Sequence, residues 1–353
     1  MKALVLSGGS GTRLRPLTLT RSKQLIPIAN RPLLHHVLDN IASTGIQDVV
    51  IVTGNNGDEI RQSVGDGSSW KLNLTFAVQN EPRGLADAVK TAANQLGDED
   101  FLMYLGDNIL PDGISEYLKT FKASHPDALL LLHPVRNPED FGIAVLDGER
   151  VIRLIEKPTV PVGNLGLVGV YFFTPIIHEA IQSIKPSFRN ELEITDAIQY
   201  LLETGARVEA RILKGVWHDA GKPGDLLEAN YTFLQRLKTN NLAKAVDSTF
   251  IGLVDAGEGT TVSHSQIMGP VIIGENCSVR DSFIGPFTAI ADGCQIESSG
   301  IEYSILLPNS RITDVPLVSR SILGAECHVK QSKKVPYGSN MVIGDYSSLA
   351  FPI

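Results

Sequence analysis

The stretch Leu4-Val5-Leu6-Ser7-Gly8-Gly9-Ser10-Gly11-Thr12-Arg13-Leu14 runs from an apolar, strand-like segment into a glycine-rich turn that ends in a cation. Glycines at positions 8, 9 and 11 let backbone N–H groups approach phosphate oxygens, and the Arg13 guanidinium adds a charge-assisted contact. No Gly-Lys-Ser/Thr follows at Walker spacing and the G-x-G-x-x-G dinucleotide pattern is missing, so neither of those phosphate loops is present. A glycine-rich turn after a strand also serves as plain chain reversal, and the turn alone leaves both readings open. Asp107 follows the apolar run Phe101 to Leu105 and Gly106. That puts its carboxylate at the carboxyl edge of a sheet, where open α/β folds bind ligands, although an Asp there also caps helices. The chain carries no Ser/His/Asp or Cys/His signature of covalent catalysis.

The elements that must position these groups fall into two periods. Up to about Ala243, strand-like runs alternate with helical stretches, the pattern of a wound, mostly parallel α/β sheet. Ala3 to Leu6, Val49 to Thr53, Phe101 to Leu105 and Ala128 to Leu132 read as strands. Leu33 to Ser43, Gly84 to Leu96 and Ile194 to Glu203 read as helices. From about Ile251 apolar residues recur every six positions: Ile267, Ile273, Val279; Ile284, Ile290, Ile296; Leu317, Leu323, Val329. This spacing predicts a parallel β-helix turning its corners at Gly, Asn and Asp, with a β-sandwich as the alternative. Residues 1–243 and 244–353 are the expected domains, joined through Leu234 to Lys244.

The 353 residues exceed one average domain, and 43% apolar composition suffices for a substantial core. A net charge of −8 gives no general attraction for nucleic acid or anionic lipid, so phosphate binding requires a local site. The longest apolar runs are too short to span a bilayer and no signal peptide is readable, which makes the cytoplasm the expectation. Cys277, Cys294 and Cys327 form no C-x-x-C pair and read as buried small hydrophobes rather than zinc ligands or a disulfide framework.

Downstream of the turn, Arg13-Leu14-Arg15-Pro16-Leu17-Thr18 is followed by Ser22-Lys23-Gln24-Leu25-Ile26-Pro27-Ile28. Here the chain resembles the sugar-1-phosphate nucleotidylyltransferases, in particular glucose-1-phosphate thymidylyltransferases of the long, β-helix-bearing form. The resemblance continues through Gln79 to Ala86, Leu105-Gly106-Asp107-Asn108, Phe141-Gly142, Glu156-Lys157-Pro158, Glu191 to Asp196 and Trp217-His218-Asp219-Ala220-Gly221. It implies a left-handed β-helix and a reaction in which glucose 1-phosphate attacks the α-phosphorus of dTTP in line, releasing pyrophosphate without a covalent intermediate. Two anions must meet, so the protein's task is neutralisation and alignment.

The resemblance also implies residue roles. Asp107 and Asp219 would be Mg²⁺ ligands. Leu6, Gly8, Gly9, Gly11, Thr12 and Arg13 would hold the nucleotide; Arg13 and Lys23 would grip the triphosphate and offset charge on the leaving pyrophosphate. Gln79 and the backbone at Gly84 would select the base. Lys157 and Arg189 would receive the sugar phosphate, with Glu156, Asn108 and Gly142 holding sugar hydroxyls and Leu85 and Leu105 supplying apolar contacts. The chain departs from the usual pattern at Asp219-Ala220-Gly221, for Asp-Thr-Gly, and at Arg189-Asn190-Glu191, for Arg-Gly-Glu, which puts the backbone geometry there in question.

A uridylyltransferase, a bifunctional enzyme whose β-helix transfers an acyl group, and a non-catalytic nucleotide-sugar sensor are the competing readings. The sensor ranks last, because Arg13, Lys23, Asp107 and Asp219 are all present. His264 and His328 are the candidate bases for acyl transfer, and both read as edge or coil-surface histidines. The β-helix is instead expected to serve homo-oligomerisation, with Leu349-Ala350-Phe351-Pro352-Ile353 as an apolar cover for a bare coil end.

Overall fold

The computed structural model describes residues 1–9, 11–54, 57–148, 150–160, 162–331 and 339–341. The expected apolar cover at Leu349 to Ile353 lies outside them. The chain forms two compact units: Met1–Ser10, Ser22–Leu25 and Leu33–Asp219 make the first, and Gly11–Arg21, Ile26–Pro32 and Ala220–Ile353 the second. Among the described residues no helix is long and apolar enough to cross a membrane.

The first unit is built on a nine-stranded sheet of β1 (Lys2–Ser7), β2 (Asp48–Thr53), β3 (Asn73–Val78), β4 (Phe101–Leu105), β5 (Ala128–Pro134), β6 (Gly142–Asp147), β7 (Arg150–Glu156), β8 (Leu165–Phe173) and β9 (Val208–Ile212). Its order is β3-β2-β1-β4-β8-β5-β9-β7-β6. The strands β3-β2-β1-β4 are parallel, and β8 enters antiparallel to both β4 and β5. In β1, Leu4 and Leu6 face one core while Ala3 and Val5 face the other. This two-sided burial is why the parallel strands read as unbroken apolar runs. After β1 the chain winds outward to β2 and β3 and then returns to the other side of β1 as β4. The carboxyl ends of β1 and β4 therefore flank a topological switch point, where open α/β sheets bind ligands.

The helix Leu33–Ser43 buries Leu34, Val37, Leu38 and Ile41, spaced three and four apart, and Ile194–Glu203 follows the same rule. The expected helix from Gly84 to Leu96 is interrupted: Leu85–Thr91 and Ala93–Leu96 are separate, with Ala92 at φ −91° and ψ 0° between them. Gly84 stands outside the helix at φ +102°, where an added Cβ would lie 2.4 Å from the Leu192 carbonyl oxygen. Close strand-like approach to Leu192 excludes any larger residue there.

In the second unit, three sheets of six, seven and five strands stack in parallel order, the geometry of a parallel β-helix. Among the described residues of these three sheets, the one antiparallel pairing is His328–Gln331 with Ser339–Met341. One hydroxyl ladder shows the coil length. Ser265 N–H donates to Ser248 Oγ, Ser282 N–H to Ser265 Oγ and Ser299 N–H to Ser282 Oγ, each step 17 residues. Three six-residue sides would need eighteen, so at least one side is short and the six-residue period slips; where Ile290 stacks on Leu306 and Ile296 on Ile312 the step is 16 and it slips twice. The same arithmetic corrects one expectation. Val318, not Leu317, stacks on Ile301, and Leu317 is 52% exposed. Cys277 and Cys294 are buried small residues: the Cys277 thiol donates to the Ala291 carbonyl and the Cys294 thiol to that of Leu307. This unit also holds the helix Pro223–Leu234 and a hairpin of Pro27–Ile28 against Arg31–Pro32.

Candidate active site

At the switch point β1 ends in Ser7 and β4 in Leu105, and the Gly106 N–H donates to the Leu6 carbonyl at 2.9 Å. A Cβ on Gly106 would lie 2.8 Å from Ser7 Oγ and 2.9 Å from Leu6 O, so only glycine lets these two strand ends close up. The next residue, Asp107, is thereby delivered to the carboxyl edge. Its Oδ2 accepts from the Lys23 ammonium at 2.5 Å, and its Oδ1 from the Asn108 amide at 3.0 Å. Burial works against the charge on Asp107, but Lys23 and Asn108 outweigh it and hold the carboxyl below its ordinary value. Asn108–Ile109 pairs antiparallel with His218–Asp219, and the register sets Asp219 opposite Asn108. Two carboxylate residues 112 positions apart thus arrive on adjacent strands, one residue out of register. Both are hard oxygen donors, and one already holds an ammonium group, a donor set suited to a small divalent cation.

Gln79 lies at the end of β3, with its N–H on the Thr53 carbonyl. Its side-chain amide donates to Gly84 O at 3.2 Å and to Asp87 Oδ2 at 2.8 Å. With both N–H groups occupied, the amide oxygen is left on the Gly8 side, 3.6 Å from where a Gly8 Cβ would be. Asp87 was not among the expected residues; it lies one residue past the stretch Gln79 to Ala86 that carries the resemblance.

A second cluster forms where β6 meets β7. Glu156 pairs with Gly142, and a Cβ on Gly142 would lie 2.7 Å from Thr195 and 3.1 Å from Glu156 Oε2. Thr195 Oγ1 donates to Glu156 Oε2, while Lys157 Nζ and Arg189 Nη1 lie 3.6 and 3.4 Å from Glu156 Oε1. Arg189 also pairs with Glu191 at 3.1 Å and Glu193 at 3.3 Å. Burial pushes the Glu193 carboxyl up, against a hydrogen bond from Ser187. Asn190 takes φ +61°. Asn tolerates that region better than most residues, so the Arg-Asn-Glu departure keeps a left-handed turn. Trp217 connects the clusters: its indole donates to Asn108 Oδ1 at 2.7 Å and its ring meets Phe141 at 5.4 Å, edge on. Asn108 Oδ1 also accepts from the Gly169 N–H, and a side chain at Gly169 would collide with both Asn108 and Leu105. Leu85 and Leu105 pack against the core with part of their surface left open.

Within the first unit the structure therefore gathers Leu6, Gly8, Gly9, Lys23, Gln79, Gly84, Asp107, Asn108 and Asp219 around the switch point, and Gly142, Glu156, Lys157 and Arg189 beside Trp217. Gly11, Thr12 and Arg13 belong to the second unit, where Gly11 at φ +60° opens the short helix Thr12–Leu14 and Thr18 Oγ1 donates to the Gly11 carbonyl. Arg13 is exposed. Gln24 was also missed. It is 2% exposed, its Oε1 has no hydrogen bond among the described residues, and its amide nitrogen is 3.8 Å from a Gly9 Cβ position. Ser7 and Thr53, register partners at the same strand ends, carry hydroxyls without partners too. Three unsatisfied buried polar atoms beside a glycine turn are costly unless a ligand meets them.

His264 and His328, the two histidines weighed for acyl transfer, lie on the β-helix surface: the His264 side chain is 58% exposed, with Asp247 and Asp281 at 3.6 and 3.8 Å, and His328 is exposed.

The nucleotidyl transferase family matches residues 2–236. A glucose-1-phosphate thymidylyltransferase of Streptomyces antibioticus is 47% identical over 353 residues, covering 99% of both chains. Its counterpart in Streptomyces griseus is 44% identical over 350 residues, covering 98% of both. A solved structure of a Bacillus anthracis protein assigned as a glucose-1-phosphate thymidylyltransferase aligns with a TM-score of 0.63 at 32% identity, covering 68% of this chain and 98% of that one. With the glycine turn, the Asp107 strand end and the paired cations of its first unit carried by a match of this extent, the chain belongs to the nucleotidyl transferase family.

Proposed function

We propose that this protein transfers the thymidylyl group of dTTP to glucose 1-phosphate, giving dTDP-glucose and pyrophosphate. The observation that carries the reading is the Lys23–Asp107 pair set at the switch point between β1 and β4, where β1 runs on into Gly8 and Gly9 and Gly8 faces the Gln79 amide oxygen. Relatives matching end to end and named for this reaction supply the substrate pair.

Three expected substrate-binding cations of the first unit are held by carboxylates before substrate arrives: Lys23 by Asp107, Lys157 by Glu156, and Arg189 by Glu156, Glu191 and Glu193. Binding is then an exchange of anions. The sugar phosphate draws Lys157 and Arg189 from their glutamates, which frees Glu156 to accept sugar hydroxyls beside Asn108 and the Gly142 backbone. Lys23 and Arg13 take up charge that develops on the leaving pyrophosphate, where fixed cations favour the transition state over the ground state. The Gln79 oxygen accepts from the base while Asp87 fixes which way the amide faces. Asp107 and Asp219 would hold Mg²⁺, which would supply positive charge at the phosphate under attack. Residues 1–243 are the catalytic domain in this reading, 244–353 the β-helix, and the cytoplasm the compartment.

A pyrophosphate-release assay over a grid of nucleoside triphosphates and sugar 1-phosphates with Mg²⁺ tests the proposal. The highest kcat/KM is expected for dTTP with glucose 1-phosphate. A preference for UTP, or no release with any pair, rejects it.

A further inference from the structure

The three carboxylates that hold Arg189 are not equivalent. Arg189 Nη1 stands between Glu156 Oε1 at 3.4 Å and Glu193 Oε1 at 3.3 Å, while Nη2 meets Glu191 Oε1 at 3.1 Å. The Glu156 and Glu191 side chains are 19% and 29% exposed, but that of Glu193 is 5% exposed. Glu156 also serves Lys157 and Thr195. A partly exposed carboxylate can turn to water when another anion takes its place beside the cation. A buried one has no water to turn to and stays with the partners it has.

Glu193 reaches Arg189 at two points. Its Oε1 accepts from Ser187 Oγ at 2.9 Å, and the same Oγ accepts from the Arg189 N–H at 3.1 Å. One carboxylate oxygen therefore holds the guanidinium directly and the Arg189 backbone through a single hydroxyl, which donates and accepts at once. The turn between them closes on itself, with the Ser187 N–H on the Glu191 carbonyl at 2.8 Å and the Asn190 N–H on the Ser187 carbonyl at 2.9 Å. Phe188, at its tip, is 89% exposed, so its ring does little to hold the turn. Glu193 itself is anchored on both sides. The preceding Leu192 gives its N–H to the Arg83 carbonyl at 2.7 Å and accepts the Ala86 N–H at 3.0 Å. The following residue opens the helix Ile194–Glu203, whose Ile194, Ala197, Ile198 and Leu201 are buried.

We propose that Glu193 is a positioning residue for the sugar phosphate: it is the carboxylate that keeps Arg189 aimed after the incoming phosphate has displaced Glu156. Glu156 and Glu191 are exchangeable partners in this view, and Glu193 with Ser187 is the fixed mount. The proposal rests on the phosphate-receiving role given to Arg189 above.

Glu193→Gln keeps the shape and an acceptor for Ser187 but removes the charge. It is expected to raise the KM for glucose 1-phosphate about tenfold and to leave the KM for dTTP within about twofold, a split that general loosening of the fold would not produce. Glu191→Gln is expected to give a smaller rise. In an Arg189→Ala background Glu193→Gln is expected to cost nothing further, since a residue acting through Arg189 cannot act once Arg189 is gone. Hydrogen exchange at Arg189 and Asn190 should quicken in Glu193→Ala, which removes both contacts. The proposal is overturned if folded Glu193→Gln protein keeps the wild-type KM for glucose 1-phosphate, if both KM values rise together, if Glu191→Gln does as much, or if the full loss persists without Arg189. A wild-type protein that releases no pyrophosphate with any substrate pair would reject the proposed function instead. The exchange measurement would then still decide whether Glu193 holds the Arg189 turn, and unchanged exchange in Glu193→Ala would overturn it.

Discussion

Asp107 serves two partners that a single substitution separates. Asp107→Asn keeps the shape and the Asn108 contact region but removes the charge that faces Lys23, whose side chain is only 8% exposed. We expect turnover to fall by at least about a hundredfold, as for loss of a principal metal-ligand charge, and the midpoint of thermal unfolding to drop with the fold retained, because a buried ammonium loses its counter-charge. Pyrophosphate release and a melting curve on the same preparation check both. Asp87 acts one step further out. Asp87→Ala leaves the Gln79 amide held only by the 3.2 Å bond to Gly84 O, so discrimination among nucleoside triphosphates should blur while the KM for glucose 1-phosphate stays near wild type. Gln79→Ala added to it should change little more; an additive loss would show that the two residues act independently.

Elements place these residues by close approach. Gly106, Gly142 and Gly169 each sit where a Cβ would meet another chain segment under 3.0 Å away, so strands can pass within reach of one another and of the site. The helix Ile177–Ser183 shows the opposite, a group kept in an unsuitable place. His178 stacks on Phe101 at 5.7 Å, its Nε2 has no hydrogen bond among the described residues, and burial holds its pKa below the usual value against the pull of Asp98. A histidine with a depressed native pKa binds its proton first in the unfolded chain, so stability is full above about pH 6.5 and is lost as pH falls below it. His178→Phe should therefore raise the melting temperature relative to wild type by more at pH 5.5 than at pH 7.5. Equal shifts at the two pH values would remove the charge explanation and leave only packing.

At the scale of the whole molecule, the β-helix repeats one solution per coil: a buried apolar residue on each side and a hydroxyl or thiol at the corner that caps the backbone of its neighbour. The first coil, with the strands Asn240–Asn241, Lys244–Val246 and Thr249–Ile251, pairs on one side only among the described residues and exposes Leu242, Val246 and Ile251. An open edge with apolar side chains suits association with a second copy, the role proposed for this half. A chain ending at Asp247 should lose that association while keeping at least some nucleotidyl transfer. Sedimentation velocity and pyrophosphate release on the truncated protein test the two effects separately. An unchanged mass would refute the first, and complete loss of turnover the second.

The glycine turn after β1, the delivery of Asp107 by a buried strand and the six-residue period were all legible in the sequence, because each is set by neighbours a few residues away. The resemblance added Asp219, Glu156 and Arg189, and the fold supplied their neighbours: the pairing of His218–Asp219 with Asn108–Ile109 sets Asp219 opposite Asn108, the residue after Asp107, and Arg189 meets Glu156. Leu317 was misread because the side it opens is one residue short, a property of how the corner closes and not of local hydrophobicity. Gln24 looked like any polar neighbour of Lys23 until burial left its oxygen without a partner. The buried Asn230 amide, which accepts from the Ala29 N–H and donates to the Phe287 carbonyl, had no signal at all, since these partners lie 201 and 57 residues away. Short-range periodicity fixes which faces are apolar, but the identity of a buried amide's partners is decided by how distant segments close on one another, and that exists only in the folded chain.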